Sequence, residues 1–197
     1  MAAIPSRSVT PPIRKAPELE IPPDILDPRV RVVIVGSAKS VASATAGHYY
    51  AHPSNRFWQL LQASGLTGGE WIPHTEDRTV LRHRVGLTDV VPGRAESDDT
   101  RIAAEDIDLP GLVSKMEDLR PVVIAFNGGV PANNLSRHLG HGAMPMGPAT
   151  WTLAGAATYR LPSSSARHAT GGYEAKEAAW AEFGRWARAR LKDVSED

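Results

Sequence analysis

Apolar positions in this chain fall into two kinds of run. Short β-branched blocks read as buried strands: Arg31-Val32-Val33-Ile34-Val35, Gly86-Leu87-Thr88-Asp89-Val90-Val91 and Val122-Val123-Ile124-Ala125-Phe126. Trp151–Leu153 and Ala157–Leu161 are the last extended pieces. Between them the spacing becomes helical. Ser54 can cap a helix over Asn55–Ser64, with Phe57, Trp58, Leu60 and Leu61 inward and Gly65 as its stop. Thr75 can cap a second helix to His83; Leu109–Leu119 is a third, broken by Arg120-Pro121; Pro131–Leu139 is a fourth, ending at Gly140. Tyr173–Leu191 is the last, with Trp180, Phe183, Ala187 and Leu191 on one face.

Four buried strands separated by helices predict a mainly parallel sheet covered on both faces. Right-handed crossovers then carry the strand ends to one edge. Those ends hold the unusual residues: Gly36 to Tyr50, Asp89 to Arg101, Asn127-Gly128 and Ser163 to His168. A strand that opens into small residues and then aromatics, as Gly36 to Trp58 does, is where an α/β protein usually binds a ligand. A surface loop packed on the next helix has the same composition.

Residues 1–28 differ. They are dense in proline, lack periodicity and read as an extended or disordered arm, with Ile21 to Leu26 along the domain surface. Residues 29–197 form one domain without internal repeats. Lys plus Arg and Asp plus Glu both number 22, so the net charge is zero and any nucleic-acid contact must be local. The absence of cysteine excludes a disulfide framework, a thiol nucleophile and thiolate-held metal. No apolar run reaches membrane-spanning length, so a soluble cytoplasmic protein is expected, at the nucleoid in a bacterium.

Common motifs are absent. Gly36-Ser37-Ala38-Lys39-Ser40 ends like a phosphate-binding loop but lacks the second glycine and the spacing. No GxGxxG or HExxH occurs, and Ser163-Ser164-Ser165 follows proline rather than sitting in a G-x-S-x-G turn. Neither a metal nor another cofactor is expected.

Three blocks in order carry a resemblance: Gly36 followed after ten residues by GHYYAHPSNRFW, then FNGG at Phe126, then LPSSSARHA at Leu161. Together they resemble the uracil-DNA glycosylase superfamily, most nearly its mismatch-specific uracil/thymine branch, with features of the hypoxanthine branch in GLTDVV and SDDTRI. The resemblance implies a three-layer α/β/α sandwich around a four-stranded, mainly parallel sheet. It implies a monomeric enzyme that swings a damaged base out of DNA and hydrolyses its N-glycosidic bond, leaving an abasic site. Uracil is the expected base, and no membrane is involved.

Site residues follow from the same likeness. Ser163, Ser164 and Ser165 would approach phosphates, and Arg167 would fill the hole left by the flipped base. Tyr50 would stack on the base; Ser37, Ala38 and Ser43 would shape its pocket. Asn127 would face its edge, since an amide offers both donor and acceptor to an imide. Ala38 stands where the mismatch-specific branch has a water-positioning asparagine, and a methyl group cannot orient water. The hypoxanthine branch also lacks a polar residue there and relies on an asparagine of the FNG-type segment, so the resemblance makes Asn127 the principal catalytic candidate, with Asp89 as a second candidate for activating water. Lys39 would meet phosphate, or attack the abasic sugar as an amine. Ala38 also keeps open a protein that holds uracil or abasic DNA without efficient chemistry, and an α/β nucleotide-binding protein is a third reading.

Overall fold

A computed structural model describes residues 19–166 and 172–193. Among the described residues the sheet has five strands rather than the four expected. They are β1 (Val32–Ala38), β2 (Val85–Val91), β3 (Val123–Asn127), β4 (Gly147–Leu153) and β5 (Ala156–Leu161), in the order β2-β1-β3-β5-β4. β1 pairs in parallel with β2 and β3, and β3 with β5; β4 is antiparallel to β5. The extra strand has a local cause. Only Ala154 and Gly155 separate it from β5, both at positive φ (51° and 82°). A two-residue loop of that hand makes a hairpin, since a parallel partner would need a long crossover.

Alternating side chains divide the core. Val32, Ile34, Leu87 and Ala125 face the layer of α2 (Phe57–Ser64) and α5 (Gly172–Asp193), where Phe57, Leu60, Trp180 and Phe183 are buried. Val33, Val35, Ile124 and Phe126 face α3 (Leu109–Leu119) and α4 (Gly129–His138), against Leu112, Met116 and Leu135. The result is the expected three-layer α/β/α arrangement.

Three differences bear on the site. First, β1 runs three residues further than its apolar block, because Gly36 and Ala38 continue in register with Asp89 and Val91. Second, α1 (Val41–Ala46) follows it, capped by the Ser40 hydroxyl and closed by Gly47. It was invisible as an apolar pattern because only Ser43 and Ala44 are buried. Third, part of the expected arm is inside the domain. Ile25 is 2% exposed and exchanges both backbone hydrogen bonds with Leu87, at 3.0 and 2.8 Å. The segment His74–His83 forms 3₁₀ turns with a kink at Glu76 instead of one α-helix. Among the described residues no helix is long and apolar enough to cross a membrane.

Candidate active site

The C-terminal ends of β1, β2 and β3 open onto a cleft of about 280 Å³. Gly36, Ser37 and Ala38 enter it from β1, Asp89 from β2 and Asn127 from β3, with Tyr50, Asn55 and Ser163–Ser165 closing it from loops. The crossover geometry that brings parallel strand ends to one edge produces this convergence from residues far apart in sequence.

Tyr50 forms one wall. Its ring stacks on the fully buried Phe57 at 3.7 Å between centroids and 12° between planes. Its backbone is left-handed, φ 51°, which costs a non-glycine residue about 1–3 kcal/mol. Neighbouring contacts hold the loop in that shape. The Ser43 hydroxyl accepts from the Ala51 N–H, the Tyr49 N–H donates to Asp77, and the Trp58 indole donates to the Tyr49 carbonyl. The Tyr50 hydroxyl is buried in the cleft beside the Asn127 side chain, and among the described residues it makes no hydrogen bond of good geometry. Burial, then the charge of Asp89, pushes its pKa far above the tyrosine range, so it remains a neutral phenol.

Asp89 is 4% exposed and lies over Gly36. A β-carbon on Gly36 would collide with Asp89 Oδ1 and sit 3.0 Å from the Tyr50 hydroxyl. Glycine is therefore required there for close approach rather than for backbone freedom. Asp89 Oδ2 pairs with Lys39 Nζ at 3.1 Å, and both side chains are 2% exposed. Burial raises the Asp89 pKa above the ordinary carboxylate value, and the charge and hydrogen bond of Lys39 offset only part of that rise.

Asn127, at the tip of β3, is clasped to Ser164. Its Nδ2 donates to Ser164 Oγ at 2.9 Å, and the Ser164 N–H donates to its Oδ1 at 2.8 Å. The loop is fixed from other sides too. The Arg56 N–H donates to the Ser164 carbonyl, Trp180 Nε1 to Pro162 O, and Lys176 Nζ to Ser165 O. Beyond this clasp the amide has one further N–H and one oxygen lone pair, with the Tyr50 hydroxyl beside it.

The opposite rim is acidic: Glu96, Asp98 and Asp99 line it, and Ser37 Oγ donates to Asp99 Oδ2 at 3.2 Å. The segment is anchored by the Glu96 N–H to Lys39 O and by Ser97 Oγ accepting from the Val41 N–H. A phosphate would be repelled on this side, which leaves the serine loop as the face for a nucleic-acid backbone.

Of the residues singled out from sequence, Ser37, Ala38, Tyr50, Asp89, Asn127 and Ser163–Ser165 meet in this cleft. Ser43 does not line it; it borders an adjoining 60 Å³ cavity and braces the Tyr50 loop. Lys39 requires a correction. It does not line the cleft, and its ammonium is buried against Asp89 and Asp24 because two carboxylates hold it. Arg167 lies outside the described residues. Gly36 and the acidic rim were legible only as parts of strand-end segments. Asp24 was missed, since its proline-rich surroundings read as an arm. Among the described residues no group of three or more His, Cys, Asp or Glu side chains is placed to hold a metal ion.

The model of one family, the uracil DNA glycosylase superfamily, matches residues 23–184. The chain is also similar to a solution NMR structure from Methanosarcina acetivorans, a protein provisionally named a uracil DNA glycosylase. The two are 28% identical with a TM-score of 0.57, over 86% of this chain and 98% of that one.

Proposed function

The chain belongs to the uracil DNA glycosylase superfamily, and from that premise we propose that it excises uracil from DNA by hydrolysis of the N-glycosidic bond. The observation that carries this reading is the meeting of Tyr50, Asn127, Asp89 and the Ser163–Ser165 loop in one cleft. Its volume lies just below the range of drug-sized ligand sites, a scale suited to a single nucleotide.

The roles follow from the side chains. The base, swung out of the stack, lies on the ring face of Tyr50 that Phe57 leaves uncovered. Asn127 meets its edge with the spare amide N–H and lone pair, a pairing that suits the carbonyl and N–H of an imide. As the glycosidic bond breaks, negative charge passes to the base, and the Asn127 N–H stabilises it. Positive charge develops on the sugar, and the Asp89 carboxylate offsets it. Asp89 Oδ1, over Gly36, accepts a proton from the water whose oxygen bonds to the anomeric carbon. The Tyr50 hydroxyl donates to that water and supplies the polar contact that Ala38 lacks. The loop serines take the strand backbone, and Arg167, two residues after Ser165, fills the vacated stack.

The test is an oligonucleotide panel carrying uracil, hypoxanthine, xanthine or mismatched thymine, single- and double-stranded, followed by alkali. Scission at uracil is expected. Retarded bands without scission on any substrate would instead make this a binder of damaged DNA.

A further inference from the structure

Asp24 reaches the active site although it precedes the first strand of the sheet. One ammonium joins it to Asp89: Lys39 Nζ is 3.1 Å from Asp89 Oδ2 and 3.3 Å from Asp24 Oδ1. Beyond Asp24 the chain of charges continues. Asp24 Oδ2 is 2.7 Å from Lys115 Nζ on α3, whose side chain is 34% exposed, and it accepts from Thr88 Oγ1 at 2.7 Å. Asp89, Lys39, Asp24 and Lys115 thus alternate in sign from the cleft to the surface. The backbone bridge between Ile25 and Leu87 fixes the register that puts Asp24 there.

We propose that Asp24 is a positioning residue for Asp89, acting through Lys39, so that the segment around Ile25 is a working part of the active site. This rests on the reading of Asp89 as the group that takes the proton from water. Lys39 sits almost midway between two carboxylates, so its charge is divided between them. Whatever changes the charge on Asp24 changes the share left for Asp89. Without the Asp24 charge, Lys39 serves Asp89 alone, and a negative neighbour is also gone; both favour the ionised Asp89. Without Lys115, Asp24 leans harder on Lys39, and Asp89 loses support. Among the described residues Tyr49 and Tyr50 are packed here, and Asp99 on the cleft rim acts on the Tyr50 hydroxyl. The Tyr49 hydroxyl donates to Asp24 Oδ1 at 3.0 Å, and its ring carries Lys39 Nζ at 4.6 Å from the centroid. Both phenols are held neutral by burial, so neither titrates in the range that matters. Of the two carboxylates, burial raises Asp24 too. The hydrogen bonds from Lys115 and Thr88 and the two lysine charges outweigh it, so Asp24 stays ionised.

Two variants move Asp89 in opposite directions, which a merely structural role would not do. Two readouts are needed: the pH profile of single-turnover base release from a uracil-containing single strand, and a carbon-detected NMR titration of the Asp89 carboxyl. With Asp24→Asn, both the acid limb and the carboxyl midpoint move down by about one pH unit. With Lys115→Met, both move up. Midpoints that stay within error of the wild type, or that shift the same way in both variants, overturn the proposal. Should Asp24→Asn fail to fold, the upward shift in Lys115→Met decides it alone. If the protein releases no base while the NMR midpoints shift as stated, the coupling stands and the catalytic reading of Asp89 falls.

Discussion

Asn127 and Ser164 hold each other by two hydrogen bonds, amide to hydroxyl at 2.9 Å and backbone N–H to amide oxygen at 2.8 Å. One side chain therefore serves both the architecture of the serine loop and the base edge. Asn127→Ala strands the buried Ser164 N–H and costs about 1–3 kcal/mol as well as activity. Asn127→Asp separates the two roles. A carboxylate still accepts from both Ser164 groups, so the loop stays, but no N–H remains for the departing base. Denaturant melts should show Asn127→Asp closer to wild type than Asn127→Ala, while its base release falls by about 100-fold or more.

Gly36→Ala is the smallest change expected to abolish chemistry. The added methyl meets Asp89 Oδ1 and comes within 3.0 Å of the Tyr50 hydroxyl, the two groups assigned to the attacking water. Asp89 must turn aside, and its bond to Lys39 is lost or lengthened. Single-turnover rates should fall at least as far as in Asp89→Asn. Near-wild-type rates in Gly36→Ala would remove the water site from above this glycine.

The sheet was legible in the sequence because fully buried parallel strands are continuous apolar blocks. Val32–Val35 and Val123–Phe126 are such blocks, each with almost no exposure. The cleft was legible for the same reason, since topology alone brings Gly36, Asp89 and Asn127 together. What escaped depended on contacts between distant residues. β4 has alternating half-exposed positions and a turn of Ala154-Gly155 that carries no asparagine or aspartate signal. Lys39 follows a strand tip, where a lysine could equally face solvent. Its direction is decided by Asp24 and Asp89, 15 and 50 residues away. Asp24 itself sits among prolines, and only the pairing of Ile25 with Leu87 shows that the segment belongs to the core.

The buried pair should be asymmetric in stability. Lys39→Met leaves Asp89 uncompensated and should cost about 3–5 kcal/mol near neutral pH. Asp89→Asn costs much less, because Lys39 keeps Asp24 at 3.3 Å and a neutral amide is easier to bury. The pH dependence follows from the raised Asp89 pKa. A carboxyl whose folded pKa exceeds its unfolded value stabilises fully below the unfolded value, and that stability is lost as pH rises through the folded one. Asp89→Asn removes this loss. Urea melts from pH 3 to 7 should therefore show the variant gaining on wild type as pH rises; a gap that widens instead would contradict the shift.

Tyr50→Phe should dissociate function from folding. Among the described residues the buried hydroxyl makes no hydrogen bond of good geometry and has only the Asn127 side chain beside it, so its removal costs little. The stacking on Phe57 is unchanged. The melting temperature should hold or rise slightly, while base release slows by about 10- to 100-fold if the hydroxyl orients water. Equal rates in the two proteins would assign Tyr50 to stacking alone.

Ile25→Ala tests whether the segment before β1 is integral to the domain. The side chain is 2% exposed and belongs to the same core as Ile34, Leu87 and Trp180. Truncation at such a site costs about 2–5 kcal/mol, since the cavity does not fully close. The loss should not be confined to stability. Ile25 itself makes the backbone pairing with Leu87, and Asp24 is its neighbour, so loosening this contact loosens the charge chain to Asp89. The variant should therefore lose activity at temperatures well below its melting point, with the pH profile displaced as well as lowered. A loss of stability with an undisplaced profile would mean that the segment packs against the domain without reaching its chemistry.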